Sequence, residues 1–287
     1  MKKILLILLP ALLAMPILGV AKRSAKAKQT SAINVMSYNI RMNTPSDGVN
    51  AWPLRVQKVT GLLRFHQADI FGVQEALPEQ VRDLVAAFPE FDHLGVGRDD
   101  GISAGEHMSV FWRKSRFEKL DGGTFWLNED TTKPGFGWDA ACNRTVTWLK
   151  LKDRNTGKSF YFLNTHFDHR GTTARVESAR LITSRMKEIN RENLPLILTG
   201  DFNATPDSEP VRIILSQLKD SRGLSETPPY GPNATSGGFE VKEMTRTIDF
   251  IFVNDRVRIL RHGNLADTYG VYYPSDHLAV LAEVELK

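Results

Sequence analysis

Eight side chains able to bind metals or move protons recur at the ends of apolar runs. Asn39 lies at the end of INVMSYNI, Glu75 closes DIFGVQE, and His166 sits near the end of SFYFLNTHF. Asp201 and Asn203 follow PLILTG, Asp249 lies within TIDFIFV, and Asp276 and His277 immediately precede LAVLAEVEL. Carboxylates and side-chain amides are hard oxygen donors suited to Mg²⁺ or Mn²⁺, whereas zinc favours His and Cys. Beside such an ion an oriented imidazole transfers a proton, and a carboxylate–amide pair holds an attacking water. Hydrolysis of a phosphate ester needs that combination, because the ion offsets charge on the phosphoryl oxygens while an alkoxide leaves. Each fragment also has a plainer reading: GDFN as a turn with Gly200 at positive φ, SDH as a capped turn, Glu75 as a solvated strand end. Recurrence at one strand terminus after another favours chemistry, since ligand sites of layered sheet proteins form at such edges.

Hydrophobic periodicity supplies the elements that must position these groups. It predicts strands over 33–40, 69–75, 107–112, 144–151, 159–167, 195–202, 247–253 and 278–286. Helices are expected from Pro53 to His66, from Pro78 to Phe88 and over 172–190, the prolines suiting a first helical turn. Strands outnumber helices and follow one another in hairpin-like runs, which predicts an α/β (α+β) body with mixed sheets. No repeat and no Pro/Ser linker divides the chain beyond residue 31, so residues 33–287 are expected to form one domain.

Composition narrows the class. The 287 residues are 41% apolar and 24% charged, which excludes disordered and low-complexity chains. Cys142 is the single cysteine, so neither an internal disulfide framework nor a cysteine-rich zinc module is available. Six bases and no acid fall within residues 1–30, leaving 31 bases against 33 acids, a formal −2, in the rest. The overall charge of +4 therefore signals no global attraction for a nucleic acid. Lys2 and Lys3, the apolar stretch 4–20 and the small-x-small step Gly19-Val20-Ala21 read as a signal peptide over 1–21. A flexible basic tether over 22–32 and a secreted or periplasmic location follow as expectations, with a membrane anchor as the alternative.

SYNIR (37–41), VQE (73–75), NTHFDH (164–169), TGDFN (199–203), TIDFIFV (247–253) and SDH (275–277) together resemble the endonuclease/exonuclease/phosphatase (DNase I-like) superfamily. The resemblance spans residues 33 to 283 in the family's order and implies a four-layer α/β sandwich, two mixed sheets face to face with helices outside. It implies Glu75 as the main metal carboxylate, with Asn39 beside it and Asp276 contributing directly or through water. His277 becomes the catalytic imidazole oriented by Asp249. Asp201 and Asn203 hold water and a phosphate oxygen, and His166 bonds the phosphate. Whether Asp201 or His277 takes the proton stays open. Arg144 resembles the family's phosphate-binding arginine, whose fork suits two oxygens. Where several nucleases of the family carry an acid two positions after the first-motif Asn, this chain has Arg41, so one Mg²⁺ or Mn²⁺ is expected.

His169, Asp168, Trp138 and Tyr272, with Tyr269 and Tyr273, are further candidates for substrate contact, or else loop-packing residues. The expected substrate is a phosphate ester: nucleic acid, nucleotide, lipid headgroup, or sugar or inositol phosphate. A sphingomyelinase-like phosphodiesterase is one alternative, and a non-catalytic surface-binding module on the same fold is another. No stable protein partner is implied, and a monomer is expected.

Overall fold

The computed structural model describes residues 31–287; the expected signal peptide and nearly all of the tether lie outside the described residues. Two six-stranded sheets carry the chain. The first has the order β11-β12-β1-β2-β4-β3: β11 Val257–Leu265, β12 Ala279–Leu286, β1 Ile33–Asn39, β2 Ile70–Gln74, β4 Val110–Arg113 and β3 Phe91–Leu94. The second has the order β5-β6-β7-β8-β10-β9: β5 Phe117–Trp126, β6 Thr145–Asp153, β7 Ser159–His166, β8 Leu196–Asp201, β10 Asp249–Val253 and β9 Lys219–Asp220. Each is mixed, with β1 parallel to β2 and β7 parallel to β8, and antiparallel pairs elsewhere. Helices α1 (Trp52–Phe65) and α2 (Pro78–Ala87) pack outside the first sheet; α3 (Thr172–Ile189) and α4 (Glu209–Leu215) pack outside the second. A short α5 (Ser221–Leu224) and a 3-10 helix over Pro45–Asn50 complete the helices among the described residues.

Three apolar layers hold this sandwich. Val35, Ile70, Phe160, Phe162, Ile197 and Ile251 belong to the layer between the sheets, while their sequence neighbours Met36, Phe71, Tyr161 and Phe252 face the outer helices. Both faces of these strands are buried, so they read as continuous apolar runs rather than alternating ones.

The inner face changes character along each strand. With a side-chain period of two, β1 presents Val35, Ser37 and Asn39; β7 presents Phe162, Asn164 and His166; β8 presents Ile197, Thr199 and Asp201. Between the sheets, apolar packing thus gives way to buried amides and hydroxyls and finally to the reactive groups. In the middle zone Asn164 Oδ1 accepts from Gln74 Nε2 (2.6 Å) and Thr199 Oγ1 (3.0 Å), and its amide donates to the Val73 carbonyl (2.8 Å). Polar layers of this kind pin one register, because a one-residue slip turns every inner group outward.

Several elements differ from the sequence-based expectation. β3, β5, β9, β11, α4 and α5 were not expected; β3 and β5 are edge strands with exposed charged and glycine positions. The strand expected over 107–112 begins only at Val110. Gly200 does not serve a turn: it lies within β8, where a Cβ would stand 2.4 Å from the Thr165 carbonyl oxygen. Positive φ falls on Asn203 instead, at 45°.

Gly72 tests the polar layer. A Cβ there would lie 2.4 Å from Asn164 Oδ1 and 2.8 Å from Thr199 Oγ1. Gly72→Ala should cost about 1–3 kcal/mol of stability in urea unfolding; an unchanged midpoint would show that the layer yields freely.

Candidate active site

The polar end of the sandwich opens as a cleft of about 360 Å³. Glu75, Glu106, Asp201 and Asp276 line it with Arg41, Arg98, Arg144 and Arg246, beside His166, His169 and His277. Asp201 lies opposite His166 on β7 and Asp249 on β10 in the strand register, which places three inward groups side by side. His277 enters from the turn before β12, where it bridges to Ser236 and the following Leu278 N–H bonds the Thr235 carbonyl.

Two imidazoles flank Asp201, and each faces a second carboxylate. His277 Nδ1 lies 2.9 Å from Asp249 Oδ2 and 3.8 Å from Asp201 Oδ2. His166 Nε2 lies 3.5 Å from Asp201 Oδ2, and its Nδ1 lies 3.7 Å from Glu106 Oε2. Asn203 Nδ2 donates to the Phe167 carbonyl and lies 3.0 Å from His166 Nε2. If that amide donates to Nε2, the ring proton resides on Nδ1, toward Glu106.

Burial and charge set the protonation states. Burial alone would depress His277, but the Asp249 carboxylate, helped by Asp201 and Asp276, overcomes it and raises the imidazole well above its ordinary range. Burial would lift Asp201, yet His166 and His277 with the Asn203 N–H and Asn39 amide keep it ionised and shifted down. Burial likewise opposes ionisation of Glu106, and His166, Arg98 and Arg144 prevail, holding its pKa at about 2. Arg98 Nη1 bonds Glu106 Oε2 at 2.7 Å.

Glu75 and Asp276 form the acidic end. Glu75 Oε1 accepts from Asn39 Nδ2 and Oε2 accepts from the Met42 N–H, both at 3.0 Å. Asn39 Nδ2 also reaches Asp201 Oδ2 at 3.0 Å, tying one sheet to the other. Asp276 is raised by burial and by the nearby charge of Glu75. Two carboxylates that repel in a buried place are what a hard divalent cation relieves, so the donor set fits Mg²⁺ or Mn²⁺. Asp201, Asp249 and His277 also lie close enough to share an ion. They are nevertheless committed to one another and to Asn39, and they read better as a proton-holding group.

Backbone geometry around these groups is unusual. Arg41 (φ 56°), Glu75 (φ 63°) and Asn203 (φ 45°) all adopt the left-handed region, which a non-glycine residue occupies at a cost of about 1–3 kcal/mol. Buried Arg55 helps hold this arrangement, donating to the carbonyls of Asn50, Ile40, Arg41 and Pro274. Ser275 Oγ donates to the Asn39 carbonyl at 2.8 Å, joining the SDH turn to β1.

Arg144 is buried, with Nε 3.4 Å from Asp168 Oδ2 and Nη2 3.0 Å from His169 Nδ1. Its Nη1 has no hydrogen-bond partner among the described residues. Asp168 is held well below the usual carboxylate range: burial opposes this, but the Gly171 and Arg170 N–H groups and Arg144 outweigh it. Trp138 and Tyr272 do not line the cleft, and neither do Tyr269 and Tyr273. Tyr272 pairs with Glu240 and Tyr269 in a neighbouring loop bridge, and Tyr273 is buried against it, its N–H on the Phe239 carbonyl. Glu106, Arg98 and Arg246 were not anticipated from sequence. Glu106 had the same signal as Asp276 and His277, an acid just before an apolar run, but stood alone there.

Two measurements follow. Asp249→Asn should make His277 titrate at lower pH in an NMR imidazole titration; an unmoved titration would remove Asp249 from its role. Glu106, depressed in the folded state, contributes stability above its unfolded pKa near 4.5 and loses it as pH falls toward about 2. Urea unfolding should therefore weaken across that window in the wild type and less steeply in Glu106→Gln; equal slopes would contradict the assignment.

Known proteins share this fold. The family model described as Endonuclease/Exonuclease/phosphatase family matches residues 36–277. A mannosyl-6-phosphatase structure from Bacteroides thetaiotaomicron is 39% identical, covers 88% of this chain and 99% of that one, and superposes with a TM-score of 0.86. An endonuclease/exonuclease/phosphatase structure from Bacteroides vulgatus is 40% identical, covering 89% of this chain and 99% of that one, with a TM-score of 0.85. Nocturnin of Drosophila melanogaster is 27% identical over 190 residues, which span 52% of this chain and 29% of that protein. With its six motifs gathered around one cleft and that match covering most of its length, the chain belongs to the endonuclease/exonuclease/phosphatase family and is by class a phosphate-ester hydrolase.

Proposed function

We propose that this chain is a metal-assisted phosphomonoesterase acting on a phosphorylated sugar outside the cytoplasm. The observation that carries the reading is its near-full-length likeness to a mannosyl-6-phosphatase. A cleft of about 360 Å³ agrees with it, since that lies at the small end of ligand pockets and suits one compact molecule. The formal −2 of the chain beyond residue 30 also disfavours a long polyanion.

In this reading Glu75 and Asp276 hold Mg²⁺ or Mn²⁺, with Asn39 fixing Glu75. When bound, that ion would offset charge on a phosphoryl oxygen and on the departing sugar alkoxide. Arg144, through its unpartnered Nη1, holds a remaining phosphate oxygen, and Asn203, bonded to the Phe167 carbonyl, keeps the His166 ring in place. Asp201, kept ionised, orients the attacking water and accepts its proton as the new P–O bond forms and the bond to the sugar oxygen breaks. His277, kept protonated by Asp249, and His166, paired with Glu106, face the charge that builds on the phosphoryl group.

Purified protein with Mg²⁺ should hydrolyse hexose 6-phosphates with a kcat/KM at least about tenfold above that for bis(p-nitrophenyl) phosphate or DNA. Chelation should abolish turnover, and His277→Ala should lower it by about 10²–10⁴-fold. Preference for the diester or DNA would overturn the monoesterase reading, and retained turnover in His277→Ala would overturn the mechanism.

A further inference from the structure

We infer that Arg41 is the built-in second cation of this site: one divalent ion binds beside it, and its free guanidinium nitrogen meets the substrate phosphate. The inference rests on the metal reading given above.

Arg41 is pinned on every side but one. Its N–H donates to Asn39 Oδ1 at 3.0 Å, and its carbonyl accepts from Arg55 Nη2 (2.6 Å) and Gln80 Nε2 (2.8 Å). Nε and Nη2 form a fork onto Asp47 at 3.0 and 3.1 Å. That leaves Nη1, which makes no hydrogen bond among the described residues and lies 4.0 Å from Glu75 Oε2. Arg41 lines the cleft, so this nitrogen is open to a ligand. A planar guanidinium locked by a two-point fork holds its positive charge in one place.

Charge accounting explains what that does. Three carboxylates gather at this end, Glu75, Asp276 and Asp47, against two guanidiniums, Arg41 and Arg55; the charges of Glu75 and Asp276 both act on Arg41. These five groups by themselves sum to −1, and to +1 with one divalent ion, which favours a phosphate; protonated His277 beside Asp276 adds to the positive side. A second divalent ion would take the sum to +3 in a partly buried place, where like charges repel strongly. Arg41 thus limits the site to one ion, weakens that ion's binding, and strengthens binding of the anion that follows.

These opposed effects are the test. Calorimetric titration of Mn²⁺ into the intact protein should give one ion per chain. Arg41→Gln removes the charge and frees Asp47, so Mn²⁺ should bind about tenfold tighter even with water-like screening. Inorganic phosphate should bind the Mn²⁺-loaded variant more weakly than the loaded wild type. Arg41→Lys, which keeps the charge, should stay near wild-type Mn²⁺ affinity, and thermal melting checks that both variants fold. A merely structural arginine would leave Mn²⁺ affinity unchanged or lower it in Arg41→Gln, and that result, or two equivalent ions in the wild type, overturns the inference. If Glu75→Gln binds Mn²⁺ as tightly as the wild type, the metal reading itself fails, a distinct outcome.

Discussion

Everything at the open end of the sandwich depends on one buried amide. Asn39 Nδ2 stands 3.0 Å from both Glu75 Oε1 and Asp201 Oδ2, so a single side chain from the first sheet holds acids from both sheets. Its carbonyl oxygen Oδ1 is taken by the Arg41 N–H, and its backbone carbonyl by Ser275 Oγ, which brings in the SDH turn. An amide suits this place because it donates to two anions without carrying charge. An aspartate in its stead would add a third negative group beside Glu75 and Asp201, and a lysine would neutralise them.

Concentrating so much charge in a buried region is costly unless every group is paired. The structure meets the requirement with alternating partners: Asp249 with His277, Asp201 between two imidazoles, Glu106 with His166 and Arg98, Asp168 with Arg144 and backbone N–H groups. Among the described residues of the site, Arg144 Nη1, Arg98 Nε, His166 Nδ1 and Asp249 Oδ1 are buried without a hydrogen-bond partner. Left-handed backbone at Arg41, Glu75 and Asn203 belongs to the same picture, because packed strands and Arg55 enforce conformations that aim these side chains inward.

Much of this was legible in the sequence, for a physical reason. Strands buried on both faces leave long apolar runs, and a reactive group at the end of such a run stands out against them, as Asp201 after PLILTG does. Period-two spacing carried further information, since Val35-Ser37-Asn39 and Ile197-Thr199-Asp201 trace the same gradient from apolar to reactive. Legibility failed where neighbours in space are distant in sequence. Glu106 acquires meaning only when β4 brings it against His166 and Arg98, sixty and eight positions away. Trp138 and Tyr272 looked close to the motifs along the chain, yet the loops carry them off the cleft. Edge strands such as β3, with exposed Asp92 and His93, lack the apolar signature altogether.

On the function proposed above, Asn39 sorts the acids into an ion-binding pair and a proton-holding group. Anomalous diffraction from crystals soaked in Mn²⁺ tests it most directly. The account predicts one strong peak between Glu75 and Asp276, with His277 still on Asp249. A peak among Asp201, Asp249 and His277, with Glu75 left bare, would contradict it.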